Sequence, residues 1–199
     1  MQTDGLILMG GKSSRMDERP KEMLLFEGKT FALRLIEELR GKVNQLWISY
    51  GREIRGSYAG CKVVTDIYPD CGPIGGIHAG MKACDKDLLL VAACDMPMLT
   101  AELYEHLFGQ MTYMEKKTGE HYDGVVPVAK EKIHPLAAIY KTHMVKILES
   151  QIKKGNYRLR DMLDMQNILF VDVSKMERLV KMLQNVNTAR EYESLIEKR

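Results

Sequence analysis

Short apolar runs alternate with longer amphipathic stretches along most of this 199-residue chain. Each apolar run is bounded by polar or turn residues and predicts a buried strand, at 6–9, 46–50, 62–65, 88–93, 125–128, 137–140 and 168–173. The stretches between them repeat apolar residues at helical spacing and predict helices, at 31–40, 74–83, 101–117, 143–153 and 190–198. This order of elements constrains the fold more than any other feature.

Strands that are separated by helices pair in parallel through right-handed crossovers, which place helices on both faces of the sheet. The sequence therefore predicts a three-layer α/β fold with a mainly parallel central sheet. No linker, repeat or low-complexity tract divides the chain, and 45% hydrophobic residues suffice for a substantial core. We expect one domain that spans residues 1–199.

The overall charge argues against two classes of partner. A formal net charge of +2 favours neither a nucleic acid nor a membrane surface. No apolar run approaches the roughly twenty residues that span a bilayer, and the first residues do not resemble a signal peptide. We expect a cytoplasmic protein.

The loop after the first predicted strand has the composition of a phosphate-binding site. Gly10 and Gly11 let the backbone turn sharply, so that its N–H groups can approach an anion. Four cations follow within eleven residues, at Lys12, Arg15, Arg19 and Lys21. Such a loop suits a triphosphate, although a surface turn with solvated charges would have a similar composition.

Two common nucleotide motifs are absent from this loop. A Walker A loop requires a glycine where Leu6 stands, and a dinucleotide-binding GxGxxG motif does not place two glycines side by side as Gly10 and Gly11 are. Phosphate would have to be bound here in another way.

Two aspartates follow predicted strands, at the sheet edge where α/β proteins bind ligands. Asp95 follows a continuous apolar strand and could share a Mg²⁺ ion with a bound triphosphate. The alternative is a turn-capping aspartate, which the nearby Pro97 and Thr100 would accommodate. Asp66 follows the strand at 62–65.

A glycine-rich segment at 72–80 leads into the second predicted helix. Its backbone could lie against a base or a ribose, but close packing of the helix on the sheet would also select small residues such as Gly76 and Ala79. His78 in this segment is interpreted as an ordinary helix residue.

Taken together, these motifs resemble the molybdenum cofactor guanylyltransferases, within the larger group of nucleotidyltransferases that share an LxxGxxxRM loop. The first-loop match comprises Leu8, Gly10, Gly11, Arg15 and Met16, with Lys21 downstream. Further matches are a GPIGG segment at 72–76, a CDxP motif at 94–97, an HP-containing strand start at His134 and an NVNT segment at 185–188. The resemblance covers nearly the whole chain and implies a Rossmann-like nucleotidyltransferase domain.

The resemblance implies transfer of GMP from GTP to the terminal phosphate of molybdopterin, with release of pyrophosphate. It assigns catalysis to Arg15, Lys21 and Asp95, with Mg²⁺ on Asp95. The nucleotide would be bound by Leu8, Met9, Gly10, Gly11, Lys12, Lys21, Asp66, Gly75 and Asp95, and molybdopterin by His134, Asn185 and Asn187. Transient contact with molybdenum-insertion or cofactor-accepting proteins is also implied.

Several residues depart from the family pattern or have a structural explanation. Asp17 replaces a glycine, the Pro20–Lys21 pair resembles the cytidylyltransferase relatives, and Ser49 stands where the guanylyl branch often has asparagine. A CTP-dependent molybdopterin cytidylyltransferase, another nucleotidyltransferase such as one that acts on sugar phosphates, and a non-catalytic nucleotide- or pterin-binding module therefore remain alternatives. His134 could simply begin a strand, and Asn187 precedes a Thr188–Glu191 pair with the spacing of a helix capping box.

Overall fold

A computed structural model describes residues 2–9 and 20–197 of the chain. Its strands in chain order are β1 (Thr3–Leu8), β2 (Leu25–Phe26), β3 (Lys29–Thr30), β4 (Leu46–Ser49), β5 (Cys61–Val64), β6 (Leu88–Ala93), β7 (Gly124–Ala129), β8 (Lys132–Ile133), β9 (Ala137–Lys141) and β10 (Ile168–Asp172). Its α-helices are α1 (Phe31–Arg40), α2 (Pro73–Ala83), α3 (Ala101–Thr118), α4 (Val145–Lys153), α5 (Leu159–Asp164), α6 (Glu177–Met182) and α7 (Ala189–Glu197).

The main sheet has the strand order β10-β7-β9-β6-β1-β4-β5, with β8 paired to β7. All pairings along this path are parallel except those of β9, which runs antiparallel to both β6 and β7. The predicted mainly parallel sheet is thus confirmed. β2 and β3 form a separate two-stranded ribbon that leads into α1.

Two hydrophobic cores cover the two faces of the sheet. Ile7 of β1 belongs to the core that includes side chains of α1, α3 and α6. Leu6 and Leu8, whose side chains alternate with that of Ile7, belong to the core that includes side chains of α2, α4 and α5. The three-layer arrangement follows from this alternation, because a strand that is buried on both faces needs helices on both sides.

All seven strands and five helices predicted from the sequence are present, with ends displaced by at most three residues. β2, β3 and β8 were not predicted, because two-residue strands carry no readable alternation. The six-residue helices α5 and α6 were also missed, since a helix of fewer than two turns gives little periodicity. Within the described residues, no helix is both long enough and apolar enough to cross a membrane.

The register of the sheet brings the carboxyl ends of four strands to one level. Leu8 at the end of β1 pairs with Ser49 of β4 and with Ala93 of β6, and Ser49 in turn pairs with Val64 of β5. The residues that follow these strands therefore share one edge of the sheet, which is where open parallel sheets bind ligands.

Candidate active site

A cavity of about 1000 Å³ opens at this edge of the sheet. Side chains and backbone from the ends of β1, β4, β5 and β6, from the start of α2 and from the segment after Pro20 line it. The predicted residues among the lining are Leu8, Lys21, Asp66 and Asp95. The sequence therefore identified residues from four separate segments that fold to one site.

Asp95 follows β6 and carries a carboxylate whose two oxygens differ in their contacts with the described residues. Its Oδ2 accepts a hydrogen bond from Asn185 Nδ2 at 3.3 Å and lies 3.7 Å from Lys21 Nζ. Its Oδ1 is buried and has no hydrogen-bond partner among the described residues. Because an unpaired buried acceptor costs free energy, this oxygen is well suited to bind a ligand cation.

Burial raises the pKa of Asp95 above the usual aspartate value, and the nearby Lys21 ammonium and the Asn185 amide partly oppose that rise. Burial is thus the dominant effect at this carboxyl group. A metal ion would favour the ionised form further, because it supplies a second positive charge at the same carboxylate.

Lys21 lies in a single 3-10 turn, Lys21–Met23, which begins after Pro20. Its Nζ donates to Asn187 Oδ1 at 2.6 Å and forms the ion pair with Asp95. The lysine therefore lies beside the aspartate that the sequence assigned to metal binding, and its ammonium group is available to neutralise phosphate charge there.

The C-terminal segment 185–187 contacts the same two charged residues. Asn185 binds Asp95 and Asn187 binds Lys21, while the backbone N–H of Val186 donates to the carbonyl oxygen of Asp95 at 2.7 Å. The sequence assigned Asn185 and Asn187 to molybdopterin, and that role stays a prediction. Their position beside Lys21 and Asp95 brings a predicted acceptor site next to the predicted metal residue.

The helix-capping alternative for this segment is also present in the structure. Glu191 Oε2 accepts the backbone N–H groups of Asn187 and Thr188, and Thr188 Oγ1 accepts that of Glu191 at 3.2 Å. This reciprocal arrangement is a capping box at the start of α7. Because it uses only the backbone of Asn187, the side chain of Asn187 remains free to bind Lys21.

Asp66 is a second carboxylate in the lining of the cavity. Its Oδ1 accepts a hydrogen bond from Ser49 Oγ at 3.1 Å, and its backbone N–H donates to Gly51. Burial raises the pKa of Asp66, and the hydrogen bond from Ser49 opposes that rise. Ser49, at a position where the resemblance leads one to expect asparagine, therefore orients the aspartate.

The glycines at the start of α2 let this helix pack closely against the strand ends. A Cβ at Gly75 would lie 2.8 Å from Asp66 Oδ2, and one at Gly76 would lie 2.6 Å from a methyl group of Leu8 and 2.9 Å from Ser49 Oγ. The packing interpretation of this segment is confirmed for Gly76. Gly76 also lines the cavity, whereas nucleotide binding by Gly75 stays a prediction.

His134 lies between β8 and β9 and is buried. Burial, followed by the charge of Lys132, lowers its pKa to about 4, so the ring is neutral near pH 7. In the described part of the chain, the cavity lining includes the neighbouring Leu136 but not His134. Molybdopterin binding by His134 is an untested prediction. His78 is a fully buried residue of α2, in agreement with its interpretation as a helix residue.

Four predicted site residues, Gly10, Gly11, Lys12 and Arg15, lie outside the described residues. Leu8 and Met9 directly precede them. Met9 accepts a hydrogen bond through its carbonyl oxygen from Arg55, and its own backbone N–H donates to Ser49.

Two charged residues of the site were not singled out from the sequence. Arg55 extends from the loop between β4 and β5, and its Nη2 lies 3.0 Å from Glu22 Oε1. Both residues line the cavity, and the Glu22 side chain is only 6% exposed. Neither residue belongs to a motif, and a lone charge in a loop carries no signal about its distant partner.

The described site can hold an anion and a divalent cation together. In the described ranges, no group of three or more His, Cys, Asp and Glu side chains forms a metal cage. Mg²⁺ does not need one, because it is commonly bound through one or two carboxylates and retains water and substrate phosphate ligands. The unpaired oxygen of Asp95 fits that pattern. Fold and site together define the class of α/β proteins that bind a ligand at the carboxyl edge of a mainly parallel sheet.

Comparison with known proteins narrows this class. The family model of the MobA-like NTP transferase domain matches residues 5–169. A probable molybdenum cofactor guanylyltransferase of Clostridium perfringens strain 13 is 35% identical over 97% of this chain and 96% of its own. One from Peptoclostridium acidaminophilum is 30% identical over 94% of this chain and 85% of its own.

A solved structure has the same fold. The crystal structure of molybdopterin-guanine dinucleotide biosynthesis protein A from Archaeoglobus fulgidus superposes with a TM-score of 0.80 at 24% identity, covering 98% of this chain and 97% of the other. The chain belongs to the MobA-like NTP transferase family. The family that the sequence motifs resemble is therefore confirmed, and with it the nucleotidyltransferase class of enzyme.

Proposed function

We propose that this protein transfers a GMP group from GTP to the terminal phosphate of molybdopterin. In this reaction a phosphate oxygen of molybdopterin forms a bond to the α-phosphorus of GTP, the bond from the α-phosphorus to the bridging oxygen breaks, and pyrophosphate leaves. The names of similar relatives support this reaction, and the similarity to these relatives covers nearly the whole chain. No covalent intermediate on the protein is required.

The main support for this reaction is the carboxylate of Asp95 at the edge of a large cavity: it pairs with a lysine through one oxygen, and its other, buried oxygen has no hydrogen-bond partner in the part of the chain that the structure describes. Phosphoryl and nucleotidyl transfer depend chiefly on positioning two anions and neutralising charge on the α-phosphate and the departing pyrophosphate. Asp95 and Lys21 supply charges of the two signs for that task.

The residues divide the task in the following way. Lys21 neutralises phosphate charge, and the cavity wall formed by Leu8, Ser49 and Gly76 leaves room for the nucleoside. Asp95 would hold Mg²⁺, which supplies Lewis-acid stabilisation of phosphate oxygens when bound. Asn185 and Asn187 lie where an acceptor could approach Asp95 and Lys21, which supports a molybdopterin side in the C-terminal half.

The proposal also includes a cellular location and partner proteins. The cytoplasmic location expected from the sequence accords with a biosynthetic role. Transient contacts with molybdenum-insertion or cofactor-accepting proteins follow from the reaction, because its product must be handed to an enzyme that uses it.

The cytidylyl alternative rests on the Pro20–Lys21 pair and on a shared fold. The 2-C-methyl-D-erythritol 4-phosphate cytidylyltransferase of Thermus thermophilus superposes with a TM-score of 0.69, but its sequence identity is 11%, which supports likeness of fold only. GTP is proposed because relatives that are 30–35% identical to this chain are described as probable molybdenum cofactor guanylyltransferases.

A titration of the purified protein with GTP, CTP and ATP, with and without Mg²⁺, tests this proposal. We expect GTP to bind at least about tenfold more tightly than CTP, a difference of roughly 1.4 kcal/mol. Asp95→Asn should remove most of the enhancement by Mg²⁺, and Lys21→Ala should weaken binding with and without metal. The matched control is Asp164→Asn, which removes an exposed carboxylate on α5 that pairs with Arg160.

Preference for CTP would favour the cytidylyl alternative. Tight GTP binding without pyrophosphate release when molybdopterin is added would favour a non-catalytic binding module. Binding of GTP by Asp95→Asn with undiminished dependence on Mg²⁺ would contradict the metal role of Asp95.

A further inference from the structure

Arg55 and Glu22 form an ion pair on the wall of the cavity, at a place that the proposed reaction does not use. The distance from Arg55 Nη2 to Glu22 Oε1 is 3.0 Å, and the same guanidinium group donates to the carbonyl oxygen of Met9. It also lies over the ring of Tyr50, 5.5 Å from the ring centroid. Arg55 therefore connects three segments: the end of β1, the start of the β4–β5 loop and the 3-10 turn at 21–23.

The burial of the two partners is unequal. The side chain of Glu22 is 6% exposed, whereas that of Arg55 is 37% exposed. A buried carboxylate is stable in its charged form only with a partner, and removal of one member of such a pair is far more costly than loss of a surface ion pair. Glu22 is therefore held in the wall of the cavity by Arg55.

The neighbour of Glu22 in the chain is Lys21, which contacts Asp95 and Asn187. Lys21 and Glu22 belong to the same three-residue 3-10 turn. Pro20 precedes this turn and makes no side-chain capping hydrogen bond to it. Successive side chains in such a turn point about 120° apart, so fixing the direction of one fixes the direction of the next. Anchoring Glu22 thus sets the direction in which Lys21 leaves the backbone.

We propose that Arg55 and Glu22 are positioning residues that hold Lys21 against Asp95. Arg55 acts through Glu22 and the turn, not through contact with the nucleotide. The consequence for turnover rests on the proposed function, whereas the orientation of Lys21 can be measured without any nucleotide. The competing explanation is that Arg55 binds a phosphate group directly, as a cavity-lining arginine could.

The first experiment measures the chemical accessibility of Lys21. The full-length protein is labelled with a limiting amount of acetic anhydride, and modification of Lys21 is quantified by mass spectrometry relative to Lys29, which pairs with Glu37 outside the cavity. We expect Arg55→Ala and Glu22→Gln each to raise the labelling of Lys21 at least about threefold, because its ammonium group loses its fixed contacts. Labelling equal to that of the unmodified protein in both variants would overturn the proposal.

A matched control separates this effect from the loss of any arginine. Arg40 also donates to a backbone carbonyl of the β4–β5 connection, that of Ala59, but it lies at the end of α1 outside the cavity lining. Arg40→Ala should leave the labelling of Lys21 unchanged. If Arg55→Ala unfolds the protein, the paired variant Glu22→Gln with Arg55→Gln removes both charges and keeps a polar side chain at each position, and it must give the same rise in labelling.

The second experiment is a double-mutant cycle on the affinity for GTP with Mg²⁺. We expect Arg55→Ala and Lys21→Ala each to weaken binding by about tenfold, and the double variant to be no more than about threefold weaker than Lys21→Ala alone. Losses that multiply to about a hundredfold would mean that Arg55 contacts the ligand itself, and they would overturn the proposal. If the unmodified protein binds no GTP while Lys21 labelling rises as expected, the proposed function fails and the positioning role stands.

Discussion

Asp95 lies at a place where burial opposes the ionised form of its carboxyl group. Its pKa is raised mainly by burial, so the folded protein binds a proton at this carboxyl group more readily than the unfolded chain does. A group of this kind contributes stability at low pH that is lost as the pH rises through its folded-state pKa. Above that pKa the ionised form of Asp95 is a cost to the fold, which is typical of residues retained for function.

The variant Asp95→Asn tests this interpretation, because the amide imitates the protonated carboxyl group. We expect a higher free energy of unfolding than that of the unmodified protein at pH 7, and a difference that shrinks as the pH falls through the raised folded-state pKa of Asp95 towards the usual aspartate value. Urea denaturation at several pH values measures both quantities, with Asp164→Asn as the exposed control. A marked loss of stability at pH 7 would mean that the carboxylate supports the fold.

At the scale of the elements, the position of α2 depends on glycines that face the sheet. A Cβ at Gly80 would lie 2.6 Å from a methyl group of Leu6, which matches the approach of Gly76 to Leu8. Contacts under 3 Å force side chains or backbone to shift, because the interior is already closely packed. α2 can lie near the cavity only because these positions carry no side chain.

We predict that Gly76→Ala and Gly80→Ala each lower the free energy of unfolding by about 1–3 kcal/mol, the usual cost of overpacking. Gly109 provides the matched control, since it lies in α3 and, among the described residues, an added Cβ would have no atom within 4 Å other than those of its chain neighbours and its own helix backbone. Gly109→Ala should stabilise the protein by roughly 0.5–1 kcal/mol, the helix preference of alanine over glycine. Denaturant titrations measure all three. Equal effects at the three positions would contradict the packing role.

The sequence predicted the elements and the edge of the sheet well, but it could not predict how distant segments contact one another. A continuous apolar run identified β6, and the position of Asp95 at the edge of the sheet followed from the general behaviour of parallel sheets. The contact of Lys21 with Asn187, 166 positions apart in the chain, has no local signature. The same holds for Arg55 and Glu22, whose pairing arises from loop geometry.

At the scale of the whole molecule, a segment from the N-terminal part of the chain contacts a segment from the C-terminal part beside the site. Val186 packs in one cluster with Leu24, Phe26 and Phe31, and the hydroxyl of Tyr192 in α7 donates to the carbonyl oxygen of Leu25. This docking holds Asn185 and Asn187 beside Asp95 and Lys21. The segment around residue 187, which is predicted to bind the acceptor, thus contacts residues predicted to bind the nucleotide, and a linear motif does not describe these contacts.

The proposed transfer of a guanylyl group to molybdopterin is tested most directly by a turnover measurement. The purified protein is mixed with Mg²⁺, molybdopterin and either GTP or CTP. Pyrophosphate and the dinucleotide product are quantified together. We expect equal amounts of pyrophosphate and guanine dinucleotide from GTP. We also expect the Asp95→Asn variant to lose at least about a hundredfold in rate, as on removal of a group that stabilises transition-state charge. Faster turnover of CTP, or no pyrophosphate from either nucleotide, would contradict guanylyl transfer.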